Sequence, residues 1–225
     1  MKIKIANTVF KINNAKEKIL NVVKDFITEE SFETEIDLPE NDEQTSLEVL
    51  EKRSYLSKKV TDYLFNEKNV VRVHGSAVCF NDSAIIFMAP SGTGKSTHAN
   101  LWEKYASATI INDDQPYLDI NSYEVFGSCW AGKHNKYSLN TARLKAFVIL
   151  KRATTNSIKQ LDKMQAVKLL YKQIIQYGNL SERVKLLECM EKFATEVPFY
   201  LLECNVSKDA FLTCFKGVFK KDYEN

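Results

Sequence analysis

The sequence predicts an α/β protein with a small α+β segment at its N-terminus. Three observations carry this reading. Ala84–Met88 is a continuous apolar run, the pattern of a strand buried on both faces, and a glycine turn and a helical pattern follow it directly. Strand-like and helix-like stretches then alternate to the C-terminus, with no internal repeat and no low-complexity segment. Finally, a polar break at 66–69 separates this part from a more acidic N-terminal part.

The chain has 225 residues, 44% hydrophobic and 27% charged, with a net charge of +2. That is enough for one sizeable domain with a small appendage, here residues 1–68 and 69–225. The near-neutral balance argues against a generally basic nucleic-acid binder. No apolar run reaches the ~20 residues a membrane span needs, so no membrane partner is expected. The N-terminus lacks the apolar core of a signal peptide. The five cysteines are an odd number with no CxxC pair, which points away from a disulfide framework or zinc site and toward the cytoplasm.

The elements follow in order. Residues 1–12 alternate in two short blocks and read as strands. Asn13 or Asn14 is placed to cap a helix whose apolar face is Ile19, Val22, Val23, Phe26 and Ile27. Residues 29–51 hold ten acids and no Lys or Arg, which leaves +12 for the remainder. This stretch is either a solvated acidic face with an edge strand or a patch for a basic partner. Residues 54–65 read as a second amphipathic helix. Residues 70–80 and 84–88 read as strands joined by an Asn81-Asp82 turn, 95–105 as a helix, and 108–111 as a strand. Residues 117–120 and 123–126 form a hairpin, and 144–150 a buried strand. Helices are expected at 163–177, 182–194 and 208–220, with a strand at 199–204.

Residues 89–97 read Ala-Pro-Ser-Gly-Thr-Gly-Lys-Ser-Thr. This matches the phosphate-loop pattern G-x-x-x-x-G-K-[ST], with Ala89 in the first position. Gly92 and Gly94 let the backbone turn its N–H groups inward onto an anion, together with Ser91 and Thr93. The helix that follows adds its positive end. Lys95 reaches the terminal phosphates, the Ser96 hydroxyl suits Mg²⁺, and Thr97 adds a donor. Asp113 and Asp114 end the next strand, 18 residues after Lys95. Two carboxylates at a strand end suit magnesium binding and proton abstraction. His74, on the strand before the loop, is placed to face the phosphates, whereas His98 reads as structural. Residues 127–135 hold two glycines, Trp130, Lys133 and His134. That segment suits a loop holding a phosphate or a substrate; the alternative is an ordinary hairpin end. Arg72 and Arg143 are candidate anion clamps.

His74-Gly75, the 91–96 loop and Asp113-Asp114 resemble, in order and spacing, the catalytic domain of HPr serine kinase/phosphorylase, of the phosphoenolpyruvate-carboxykinase-like superfamily. The resemblance extends to short HPr-kinase-related bacterial proteins with Ser-Gly-Thr-Gly-Lys-Ser-Thr-His, Asn-Asp-Asp and Trp-x-Gly-Lys-His segments. It covers residues 70–150 well and the C-terminal helices weakly. It implies an HPr-kinase-like P-loop core with a mixed sheet flanked by helices. It further implies a kinase using ATP or another nucleoside phosphate donor with Mg²⁺ to phosphorylate a serine-like hydroxyl on free serine, a peptide or a protein. Lys95 would activate the transferred phosphate, Asp114 would take the hydroxyl proton and His74 would be an active-site residue. Ser96 and Asp113 are the expected metal ligands, and Lys133 joins the 91–97 loop in binding the donor. Ala89 and Thr97 depart from the family, Thr97 standing where HPr kinase commonly has Glu. Two alternatives are a nucleotide-binding regulatory or peptide-binding module without turnover, and a carboxykinase-like enzyme on a small acid. Oligomeric state is left open.

Overall fold

The computed structural model describes residues 1–40, 43, 45–174 and 179–224. The alternating residues at the start form β1 (Lys2–Ile5) and β2 (Thr8–Asn13), an antiparallel pair, with β3 (Thr34–Asp37) parallel to β2 at the edge. Ile3, Ile5, Phe10 and Ile12 face inward and are buried, as period-2 patterning requires.

The first helix, α1, spans Glu17–Val23 and continues as a 3₁₀ turn over Lys24–Phe26. Its apolar face holds Ile19, Val23 and Phe26, but Ile27 lies beyond it and is exposed. Neither asparagine caps it. Asn13 ends β2, and Asn14 sits in a left-handed turn at φ 58°. The carboxylate of Glu43 instead accepts from the backbone N–H groups of Lys16 (3.0 Å) and Ile19 (3.2 Å). A negative charge there also suits the positive helix end. The second helix, α2, runs over Ser46–Lys68 and starts at a reciprocal Thr45–Glu48 capping box. It is longer than the 54–65 pattern because its first turns expose Leu47 and Leu50, leaving no buried stripe to read.

Leu56, Val60 and Leu64 of α2 pack in one cluster with Phe10 and Ile12 and with Tyr117, Phe126 and Trp130 from later in the chain. Burying a large apolar side chain stabilises by about 1.5–3 kcal/mol, so α2 ties the two parts of the chain together.

The remainder is a nine-stranded mixed sheet flanked by helices. Its strands are β4 (Val70–Arg72), β5 (Ser76–Phe80), β6 (Ser83–Met88), β7 (Thr109–Asn112), β8 (Tyr117–Asp119), β9 (Glu124–Phe126), β10 (Ala142–Arg152), β11 (Ser157–Gln160) and β12 (Phe199–Cys204). The order is β4-β8-β9-β10-β6-β5-β7, with β12 on β10 and β11 on β12. The 70–80 stretch is two strands, broken at residues 73–75. β11 escapes the sequence reading because Ser157–Gln160 is mostly exposed and carries one apolar residue.

Four helices cover the two faces: α3 (Lys95–Ala106), α4 (Lys163–Leu170), α5 (Leu180–Glu196) and α6 (Lys208–Phe219). On β6, Ile85 and Phe87 meet Trp102 of α3 and Phe211 and Phe215 of α6. Ala84, Ile86 and Met88 meet Leu170 of α4 and Met190 and Phe193 of α5. That double burial is why the run has no polar alternation. The helix expected over 163–177 ends at Leu170, a turn follows through Gln173, and residues 175–178 lie outside the described ones.

Direction places the site. β6 is parallel to β10, and β10 to β12. β5 is antiparallel to both β6 and β7, so β7 points the same way as β6. The carboxyl ends of β6, β7, β10 and β12 therefore gather at one rim. No helix among the described residues is long and apolar enough to cross a membrane.

Candidate functional site

The loop after β6 and the first turn of α3 form the centre of that rim. Gly92 and Gly94 take φ values of 76° and 119°, a region L side chains rarely enter. Gly94 is the N-cap of α3, and its carbonyl accepts the His98 N–H at 2.9 Å. Ala89 is buried at the end of β6, and its carbonyl accepts from Lys95 Nζ at 2.9 Å. Left-handed glycines at a helix start can hold an anion.

Lys95 also reaches His74 Nε2 at 3.1 Å. His74 does not sit on a strand as expected. It lies in the break between β4 and β5, where its N–H donates to the Gln173 carbonyl at 2.8 Å. The chain changes partners at the break, β4 pairing β8 and β5 pairing β6 and β7, and Gly75 there lies close on β6: a Cβ would meet Ile86 Cγ2 at 2.8 Å and the Phe87 carbonyl at 2.9 Å. Gly75 N–H donates to the Asp114 carbonyl at 2.9 Å, which brings the histidine to the acid pair. His74 Nδ1 faces Asp114 Oδ1 at 3.4 Å. Burial and the Lys95 charge lower the His74 pKa, against the opposing pull of Asp114. The ring is thus neutral near pH 7. An ammonium only donates, so Nε2 accepts and Nδ1 carries the proton toward Asp114. Burial likewise lowers the Lys95 pKa, offset in part by Asp114.

Asn112, the last residue of β7, sets the acid pair. Its side-chain oxygen accepts from Asp114 N–H (2.9 Å) and Gln115 N–H (2.6 Å), while its amide donates to the Ser128 carbonyl at 2.9 Å. Asp113 is buried, and its Oδ1 accepts the Gly132 N–H at 2.6 Å. Its Oδ2 is buried with no hydrogen-bond partner. An orphaned carboxylate oxygen suits a hard cation. Ser96 Oγ lies on the same residue, donating to the Asp113 carbonyl at 3.4 Å.

His74, Ser91, Gly92, Gly94, Lys95, Ser96, Thr97, Asp113, Asp114 and Lys133 all line one open cleft of about 490 Å³. Thr93 does not line it; its N–H closes the loop onto Pro90 at 3.2 Å. Lys133 and His134 stand exposed on the tip of the 127–138 loop. That loop is pinned on three sides: Gly132 to Asp113, Ala131 to Arg53 of α2 (3.3 Å), and Tyr137 to Asp25 (2.7 Å).

Neither candidate clamp reaches the cleft. Arg72 bonds Ser57 of α2, behind β4. Arg143 opens β10 opposite Ser83, at the far end of the sheet from the rim, over the Tyr123 ring. The arginine that does touch the loop is Arg152, which donates to the Gly92 and Thr93 carbonyls. No local motif announces it; only the parallel β6–β10 pairing puts it there. His98 is buried against Phe87, consistent with a structural histidine.

No family model and no curated relative matches the chain. Among solved structures, it aligns with the Hpr(Ser) kinase/phosphatase from Coxiella burnetii at 11% identity and a TM-score of 0.30, over 56% of this chain and 92% of that one. An overlap that loose bears on neither fold nor activity.

Proposed function

We propose that this chain is a nucleotide-dependent kinase that moves a terminal phosphoryl group from ATP or a related nucleoside triphosphate to a serine-like hydroxyl. The observation that carries this is the meeting of Lys95, His74 and Asp114 in one cleft at the start of α3, beside the orphaned Asp113 oxygen. A phosphate-only binder has no need of a second carboxylate beside the lysine and the histidine.

In this reading the backbone of residues 91–96 cradles the donor phosphates. Lys95 commits N–H groups to Ala89 and His74, and its charge stands beside the transferred group. Asp114 accepts the hydroxyl proton as the acceptor oxygen bonds to the terminal phosphorus. The bond to the bridging oxygen breaks, and the nucleoside diphosphate leaves. Asp114 Oδ1 faces His74 Nδ1 at 3.4 Å, and its Oδ2 accepts from Gln115 Nε2 at 3.2 Å. Ser96 Oγ and Asp113 Oδ2 would hold magnesium, which when bound neutralises charge on the phosphate oxygens. Lys133 reaches over the open side and is the group placed to meet an anionic substrate.

The test is a transfer assay with labelled ATP and magnesium against free serine and serine-containing peptides. Wild type transfers label to a hydroxyl, and Lys95→Ala loses at least about 100-fold while keeping its circular dichroism spectrum. Nucleotide binding with no turnover on any acceptor would favour the regulatory module instead.

A further inference from the structure

β10 outruns β6. Its Ile149 pairs with Met88, the last residue of β6, and the strand continues to Arg152. Those three further residues carry the chain about 10 Å past the end of β6, alongside the 89–94 loop. There the Arg152 guanidinium donates through Nε to the Thr93 carbonyl at 3.1 Å and through a second nitrogen to the Gly92 carbonyl. The end of β10 is itself fixed. The Ala153 N–H donates to the Cys204 carbonyl at 3.0 Å, and Lys151 pairs with Glu203.

A trans peptide points its carbonyl and its N–H in opposite directions. With the Gly92 carbonyl held against Arg152, the Thr93 N–H turns the other way and meets the Pro90 carbonyl at 3.2 Å. The Gly92–Thr93 peptide is thus pinned on both sides. The next peptide is pinned on one side only. Arg152 holds the Thr93 carbonyl, and the Gly94 N–H opposite it has no protein acceptor among the described residues. Thr93 lies outside the cleft, whereas Gly94 lines it. That N–H therefore points away from Arg152, to the side where donor phosphates would lie. Gly94 has φ 119° and no Cβ, which makes a flip of this peptide cheap. Flipped, the Thr93 carbonyl would face the cleft and repel phosphate oxygens.

We propose that Arg152 is a positioning residue for the phosphate loop: it holds the Thr93–Gly94 peptide with its N–H presented to a donor phosphate and blocks the flipped state. The inference rests on the phosphate-binding reading of the cleft and is independent of which hydroxyl accepts the phosphoryl group. Arg152 acts through the loop, since it stands with Thr93 outside the cleft lining. Arginine suits the task because its planar fork offers two nitrogens at fixed spacing to two carbonyls, which a lysine ammonium does not. Its charge also attracts phosphate over a distance, but that effect is screened by salt and needs no fork.

The test is calorimetry of inorganic tripolyphosphate binding to the full chain with magnesium, together with the Gly94 amide resonance of isotope-labelled protein. In wild type the Gly94 amide proton moves downfield on binding. Arg152→Ala weakens binding about 10- to 100-fold, the worth of a charge-assisted hydrogen bond. At saturating tripolyphosphate its Gly94 amide no longer makes that shift. Arg152→Lys keeps the charge without the fork and still loses at least about 5-fold, the worth of one hydrogen bond. Arg152 is exposed, so both variants fold. An Arg152→Ala protein that binds tripolyphosphate as wild type does, or more weakly with the Gly94 shift intact, would overturn the positioning role. An Arg152→Lys protein that binds as wild type does would also overturn it, since charge alone would then suffice. Tripolyphosphate binding that ignores Lys95→Ala would instead overturn the phosphate-loop reading, and this inference with it.

Discussion

Lys52 and Glu43 form an ion pair at 3.1 Å, with side chains 0% and 1% exposed. The pair lies between α1 and α2, where Lys52 also donates to the Asn14 carbonyl at 3.3 Å. Replacing Lys52 by Met keeps the length of the side chain and removes the charge. Glu43 then keeps the backbone donors Lys16 and Ile19 but loses its buried counter-charge. Breaking one side of such a pair costs about 3–5 kcal/mol, because the remaining charge stays buried. Against a typical domain stability of about 5–15 kcal/mol, that is a large fraction. At roughly 2–4 °C per kcal/mol for a chain of this size, the midpoint falls by about 10 °C. Burial alone would raise the Glu43 pKa, but the Lys16 N–H, Lys52 and the Ile19 N–H together hold it below the ordinary value. The stability it contributes is therefore present above the ordinary carboxylate pKa and lost as pH falls through the lowered one. Urea denaturation at pH 7 measures the loss. The double variant Glu43→Gln with Lys52→Met should recover most of it, since both buried charges are then gone. A Lys52→Met protein within about 1 kcal/mol of wild type would refute the reasoning.

The other predictions concern the core and the loop beneath the cleft. His98 is buried with a pKa of about 4 against an ordinary 6.5, so the unfolded chain binds the proton first on acidification. Stability falls between pH 6.5 and about 4, by about 3 kcal/mol in all. His98→Phe should flatten that part of the stability-against-pH curve; an unchanged slope would place the titration elsewhere. Gly127 faces the Ser138 carbonyl where its Cβ would be, at 2.0 Å, and the Ile111 carbonyl at 2.8 Å. Gly127→Ala therefore has to displace backbone at the base of the Lys133 loop. It should cost at least about 2 kcal/mol by thermal denaturation, and a neutral result would mean the loop is not seated as described.

Legibility in the sequence followed the distance over which each feature is built. The 89–97 loop was readable because nine consecutive residues carry it, between a strand and a helix that show their own periodicity. Asp113 and Asp114 were readable because a strand end is a local feature. His74 shows by residue type, but its place in a break and not on a strand does not, because β4 and β5 part there to pair with different, distant strands. Arg152 could not be found, being sixty residues from Gly92 and brought there by sheet pairing alone. Arg143 looked equivalent in sequence and lies at the opposite end of the same strand. The Glu43 cap on α1 was hidden for the same reason, and two nearby asparagines offered a false local substitute. The acidic stretch contributes this cap and pairs of the kind Lys11–Glu35 and Lys4–Glu30 within the N-terminal part.

Single-turnover transfer of the ATP terminal phosphoryl group to a serine hydroxyl, compared between wild type and Asp114→Asn, tests the central claim most directly. The two side chains have the same shape, so magnesium-nucleotide binding should stay within about 3-fold. The rate should fall by about 10²–10⁴, the range expected when a general base is removed. An Asp114→Asn protein that transfers at the wild-type rate would contradict the account.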